Sequence, residues 1–163
     1  RAKVVEVEAD MGDIRNAVKL LSQKVEYAKE RLGVYERAQK QVAAAAEFAA
    51  QMKKSADSEM CGQYDTEKIE EQTERLPSHA EVEKHRSILT DLRAGDGKSL
   101  REEQFTGIEN LMMELTGAEN EIDVAMEAMK ALSIKLEHSK KCHSNFNKAK
   151  EKLDGLQEKV GGL

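Results

Sequence analysis

Apolar or small residues fall at Val4, Val7, Met11, Ile14, Val18, Leu21, Val25, Ala28, Leu32 and Tyr35, in alternating steps of three and four. That spacing keeps one stripe of a helix turned towards a partner. Beyond Gln39 the stripe resumes at Val42, Ala46, Ala49 and Ala56, for about eight heptads in all. No proline interrupts it, and Gly33 is its weakest internal point. The pattern predicts one helix over about 3–57, roughly 80 Å long. Such a rod cannot bury its seam alone.

Composition points the same way. Of 163 residues, 35 % are charged and only 4 % aromatic, with one proline and no tryptophan. Few breakers and abundant Ala, Glu, Lys and Leu mark long helices packed in coiled-coil fashion, so an all-α fold is expected. The length suits one domain, or an elongated unit of one and a half repeats. The formal net charge is −5, with both signs interspersed. A nucleic-acid or anionic-membrane surface needs a concentrated basic face. The nearest candidate, EHSKKCHSNFNKAKEK at 137–152, reads as a solvated helix surface. No apolar run approaches the roughly 20 residues of a membrane span. No signal peptide is expected before the fold, and the opening Arg1 reads as the start of a segment excised from something longer, with targeting signals or anchors outside it. The spacing of Cys61 and Cys142 suggests neither a disulfide framework nor a zinc knuckle, and two free thiols suit a reducing cytosolic compartment.

SADSEMCGQYDTEK at 55–68 breaks the stripe, with Gly62 as the turn and Asp65 or Thr66 as the N-cap of the next helix. That helix carries Ile69 and Leu76 before Pro77, which marks a kink or a restart. Val82, His85, Ile88, Leu89 and Leu92 then line one side, followed by Gly95 and Gly97. Phe105, Ile108, Leu111, Met112 and Leu115 form another stripe. Thr116 and Glu119 have capping-box spacing and predict a third break. The last helix shows Ile122, Ala125, Met129, Leu132, Leu136, His143, Phe146, Leu153 and Val160. Reversals at about 57–65 and 116–119 give three legs, about 3–57, 66–116 and 119–160, with the middle leg kinked at Pro77 and at Gly95/Gly97. The expected architecture is an elongated antiparallel three-helix bundle in a single domain spanning 1–163. A rival placement reverses at 94–99, lengthens the last helix to about 60 residues and leaves half of the first without an intramolecular partner. In VAAAAEFAA at 42–50, small residues let neighbouring helices of the same chain pack closely, with Phe48 and Met52 filling the space beside them.

LRAGDGKSL at 92–100 invites comparison with a phosphate-binding loop. Such a loop needs a first glycine five positions before the second and a strand leading into it. Leu92 stands where that glycine is wanted, and the preceding pattern is helical. Gly97-Lys98-Ser99 is therefore a kink or tight turn, with Asp96 and Ser99 as local caps. His138 and Cys142 could offer two zinc ligands at i, i+4, but no third can be named, and His143 falls on the apolar stripe. His85 lies on the inner face of the middle leg and His79 near Pro77. No nucleophile, base and orienting acid can be assembled, and EKIEEQTE at 67–74 reads as solvated surface. The seven methionines read as soft packing between helices. No catalytic, cofactor-binding or metal-ligating residue is assigned, and no enzyme activity is expected.

SHAEVEKHRSILTDL at 78–92 resembles the start of the second helix of a spectrin repeat, where a polar opening leads to Val82, Lys84-His85, Leu89 and Leu92. The long heptad helices on either side resemble the same plan. The chain departs from that family in having no tryptophan and in its greater length. The resemblance implies a divergent repeat of a cytoskeletal linker, of the kind found in spectrins, plakins, dystrophin and the nesprin-like KASH proteins of the nuclear envelope and its LINC complex. It also implies a spacer and docking surface for cytoskeletal or motor proteins and neighbouring repeats. The tryptophan-acidic peptide that recruits kinesin light chains is absent. The expected setting is cytoplasmic, on the cytoplasmic face of the outer nuclear membrane through parts outside this segment. A monomer without direct membrane or nucleic-acid contact is expected. The alternative is a homodimeric coiled coil or BAR-like membrane-binding domain, which the acidic balance disfavours. If the seam is buried along its length, Leu21→Ala or Leu136→Ala costs about 2 to 5 kcal/mol.

Overall fold

The computed structural model describes residues 1–62 and 64–162, and among these the chain is all-α, without a strand. Helix α1 spans Ala2–Ser55, followed by a 3-10 turn at Ser58–Met60, α2 at Thr66–Glu74, α3 at His79–Ala94, α4 at Asp96–Glu102 and α5 at Ile108–Gly161. Both α1 and α5 are 54 residues long.

The end of α1 lies against the start of α5, and the two run in the same direction. Tyr35 reaches Gly107 near the beginning of α5, whereas the turn after α1 meets Lys135 between seven and eight turns further on. Helix α3 runs the opposite way between them: Phe48 stacks on His85, Arg86 pairs with Asp123, and Arg93 pairs with Glu119. Helix α4 continues in the direction of α3 after a break at Gly95, because Gly97 meets Met112 and Arg101 pairs with Glu109. Helix α2 is a separate short piece on the outer part of α5, fixed by buried Ile69 and by the Thr66 to Ser139 hydroxyl pair at 2.6 Å.

Val34, Ala38, Val42, Ala45, Ala49 and Met52 of α1 share one core with Val82, Leu89 and Leu92 of α3, Leu100 of α4, and Ile108, Leu111, Leu115, Ala118, Ile122 and Ala125 of α5. Ala38, Ala45 and Ala49 bring no bulk to the contact, and helix separation is set by the side chains between. Phe48 and Met52 fill the adjoining space.

Four expectations are corrected by this arrangement. First, the chain passes through 116–119 without reversing. Leu115, Ala118 and Ile122 are buried on one continuous stripe, and the Thr116 hydroxyl donates to the Met112 carbonyl at 3.0 Å instead of capping a new helix. The reversal lies at Glu103–Gly107, where Gln104 adopts φ 54°. The Gln104 amide donates to Arg101 at 3.0 Å and the Phe105 amide to Leu100 at 2.9 Å, the Schellman pattern of hydrogen bonds that ends a helix. Glycine normally marks that position, so its occupation by glutamine hid the turn. Gln104→Gly relieves the left-handed backbone and is expected to raise stability by about 0.5 to 1 kcal/mol, measured by urea unfolding.

Second, the middle leg is not one kinked helix over 66–116. Helix α2 stops at Glu74, Pro77 lies in the connection, and Ser78 opens α3 with a full capping box to Glu81. The proline ring is compatible with that connection and not with a helix interior.

Third, the stripe on α1 changes phase. Beyond Val34 the expected Val42, Ala49 and Ala56 are buried, but Ala38, Ala45 and Met52 are buried with them, while Ala46 is only partly covered. In unbroken register Gln39 and Lys53 would enter the core, and the helix turns so that both face water. Fourth, Leu21 is 62 % exposed, because nothing covers the α1 stripe from Val4 to Val25, and Leu136 is only half-buried, beside the turn after α1 and helix α2.

Candidate functional site

The residues that suggested chemistry are occupied structurally. Gly97 is buried at the α3 to α4 break, where a Cβ would come within 2.7 Å of the Leu92 carbonyl oxygen. Lys98 faces solvent and meets only Glu102, at 3.9 Å. Ser99 accepts from the Arg31 guanidinium at 2.9 Å. Arg31 also donates to Glu103 at 2.9 Å, and the Tyr27 hydroxyl donates to the same carboxylate at 2.8 Å. That hydrogen bond holds the phenol proton, raising the Tyr27 pKa above its ordinary value. The group fastens α1 to α4 and its far end.

His85 lies where the spacing puts it, half-buried and stacked on Phe48 with ring centroids 4.0 Å apart. His79 is exposed. His138 and Cys142 face each other at 3.6 Å on α5, but His143 is exposed and not part of an inner face. Among the described residues, no group of three His, Cys, Asp or Glu side chains could hold a metal ion. Cys61 and Cys142 are free thiols. Cys61 is tied into the turn after α1, donating to Gln72 at 3.0 Å, while Gln72 donates to Ser55 and Asp57 carbonyls at 2.8 and 2.7 Å. Lys135 donates to the Ser58 and Cys61 carbonyls, the latter at 2.6 Å, and so fixes the turn to α5.

Two kinds of surface remain. A groove of about 480 Å³ lies between α3 and α5, floored by Val82, Met126 and Met129 and edged by His79 and Ile134. Larger are the uncovered stripes of the two long helices. On α1, Val4, Val7, Met11, Ile14, Val18, Leu21 and Val25 are exposed; on α5, Phe146, Leu153, Leu156 and Val160 are. Because α1 and α5 are parallel and offset, these arms leave the central core at opposite ends. Residue 34 lies level with residue 108, so Ala2 and Gly161 are about 130 Å apart along the axis.

Contiguous apolar surface of this kind marks an interaction site. The heptad spacing had placed these residues on a seam, but it could not tell whether the seam closed within the chain. Sequence reading missed the Tyr27, Arg31, Ser99 and Glu103 group because it joins positions about 70 apart with no local signature. Among the described residues, no helix is long and apolar enough to cross a membrane. No family model, no curated protein and no solved structure matches the chain.

Proposed function

We propose that the chain is a structural module: a divergent, spectrin-like three-helix unit that acts as spacer and protein-docking surface in a cytoskeletal or nucleus-to-cytoskeleton linker. The observation that carries this reading is the offset of two parallel 54-residue helices around one core, so that a helical arm leaves each end of it. A force applied to the two arms would pass through the packed core along the helix axis. The antiparallel α3 and α4 then serve as the middle leg of the unit, and the capping box at Ser78 begins it, in the segment that carries the family resemblance. Partners of this module are other proteins: neighbouring repeats at its ends, and cytoskeletal or motor proteins on its sides. Its setting is cytoplasmic, at the outer nuclear membrane through other parts of the protein.

Optical-trap unfolding of the chain held at its two ends tests the mechanical role. The arms are expected to stretch first, without a discrete step. The core from Val34 to Ser139 then opens in one cooperative event, releasing roughly 350 Å of extended chain. Gradual extension with no such event would rule out a spacer that holds its length under load.

A further inference from the structure

We infer that the two uncovered arms are complementary to each other, and that a second copy of this chain docks end to end, its α1 arm pairing in parallel with the α5 arm of the first. The stripe on α5 continues the phase of its buried segment through positions 139, 143, 146, 150, 153, 157 and 160, with apolar Phe146, Leu153 and Val160 alternating with polar His143, Lys150 and Gln157. The stripe on α1 has the same alternation at 4, 7, 11, 14, 18 and 21. Because α1 and α5 are parallel within the molecule, two copies stacked along a common axis bring these arms together in parallel. Sliding them so that Val7 faces Phe146 also sets Ile14 against Leu153 and Leu21 against Val160. All six are exposed in the isolated chain.

The charges choose the same register. Between Lys3 and Arg15 the α1 arm carries Glu6, Glu8, Asp10 and Asp13 and no base. These positions fall alongside 145–152, where the α5 arm carries Lys148, Lys150 and Lys152 around the single acid Glu151. Lys141 adds to the basic end, while Lys140 is engaged by Glu70 at 2.9 Å. Pairing like with like in parallel would set four carboxylates against four, or three lysines against three, so among parallel pairs the head-to-tail one is favoured. Lys150 enters the seam opposite Met11, a polar position of the kind that fixes register at some cost in stability. The contact is heterologous and leaves an arm free at each end, so it propagates into an open chain of copies. The seam covers about three heptads, near the length at which helices pair only marginally, so association depends on concentration. The inference stands on this chain's own arms, and it assigns to them a second copy where the linker reading places a neighbouring repeat.

Light scattering and sedimentation velocity on the whole chain, from micromolar to millimolar protein, provide the test. The average mass is expected to rise about twofold or more with concentration. It should fall back between about 0.1 M and about 1 M salt, as the screening length shrinks from about 10 Å to about 3 Å. Ile14→Asp and Leu153→Asp lie outside the core, and each alone is expected to be monomeric with unchanged melting of the core. Mixed, they should form a one-to-one dimer that grows no further, because one retains its α5 arm and the other its α1 arm. Lys148→Glu with Lys152→Glu leaves the apolar stripe intact and is expected to weaken association about tenfold. A chain that stays monomeric throughout overturns the inference. So does a Leu153→Asp or Ile14→Asp protein that still dimerises alone, which would mean symmetric pairing, and so does association indifferent to the lysine reversal.

Discussion

Leu115→Ala is expected to lower the free energy of unfolding by about 3 to 5 kcal/mol, whereas Leu21→Ala in the same chain changes it by less than about 0.5 kcal/mol. Both leucines occupy heptad positions on helices of identical length, and only their surroundings differ. Leu115 is 0 % exposed, in a core to which α1, α3 and α4 also contribute. Truncating it removes buried methyl groups and leaves a cavity, since the neighbouring helices are held apart by the rest of the core. Leu21 stands on a stripe that is uncovered when the chain is alone. Urea unfolding followed by circular dichroism, at protein concentrations low enough to keep copies apart, separates the two cases. Equal losses would mean that the first half of α1 folds back onto a partner within the chain, and the arm would not exist.

Gly97→Val is expected to cost about 3 kcal/mol or somewhat less, and to do so without touching any ligand. Gly97 is buried where α3 breaks into α4, and a Cβ there would come within 2.7 Å of the Leu92 carbonyl oxygen and 3.2 Å of the Met112 sulfur. Methionine can move aside, but the carbonyl belongs to the backbone of α3. The break at Gly95 would therefore have to open, carrying Leu100 out of the core and loosening the Arg31 contacts to Ser99 and Glu103. Lys98→Ala, at the neighbouring position of the same Gly-Lys-Ser run, removes only an exposed side chain and is expected to leave stability within about 0.5 kcal/mol. Thermal melts of the two variants check the contrast. Matching effects would mean that the glycine has no special place in the packing.

These contrasts show what could be read from the chain and what could not. On α5 the covered part of the stripe was legible, because Ile122, Ala125 and Leu132 sit on a pattern that needs only one partner direction, whereas Phe146, Leu153 and Val160 on the same pattern are exposed. On α1 the same method found Val42, Ala49 and Ala56 but passed over Ala38 and took Ala46 where Ala45 is the more deeply buried. There the helix is wedged between α3 and α5 and buries a broader face, so excluding Gln39 and Lys53 from the core outweighed strict periodicity. The reversal at Glu103–Gly107 was approached only by the rival placement at 94–99, because Gln104 occupies a backbone region usually marked by glycine. Thr116 with Glu119 imitated a cap but lies inside a helix whose burial continues on both sides. Among the sites, the rejection of a phosphate loop needed only Leu92 and the helical context, whereas the anchoring of Ser99 by Arg31 required the fold.

The sequence by itself determined the all-α character, the extent of the first helix, the cap at Asp65 and the apolar stripes that the helices present. These are local properties, set by neighbours three and four residues apart along the chain. Tertiary structure decided which stretches of stripe are covered. That choice depends on where the chain turns, and moving one reversal from about 116 to 103–107 displaces α5 along α1 by several turns. The displacement strips cover from Val4 to Val25 at one end and from Phe146 to Val160 at the other, which turns a closed bundle into a core with two adhesive arms.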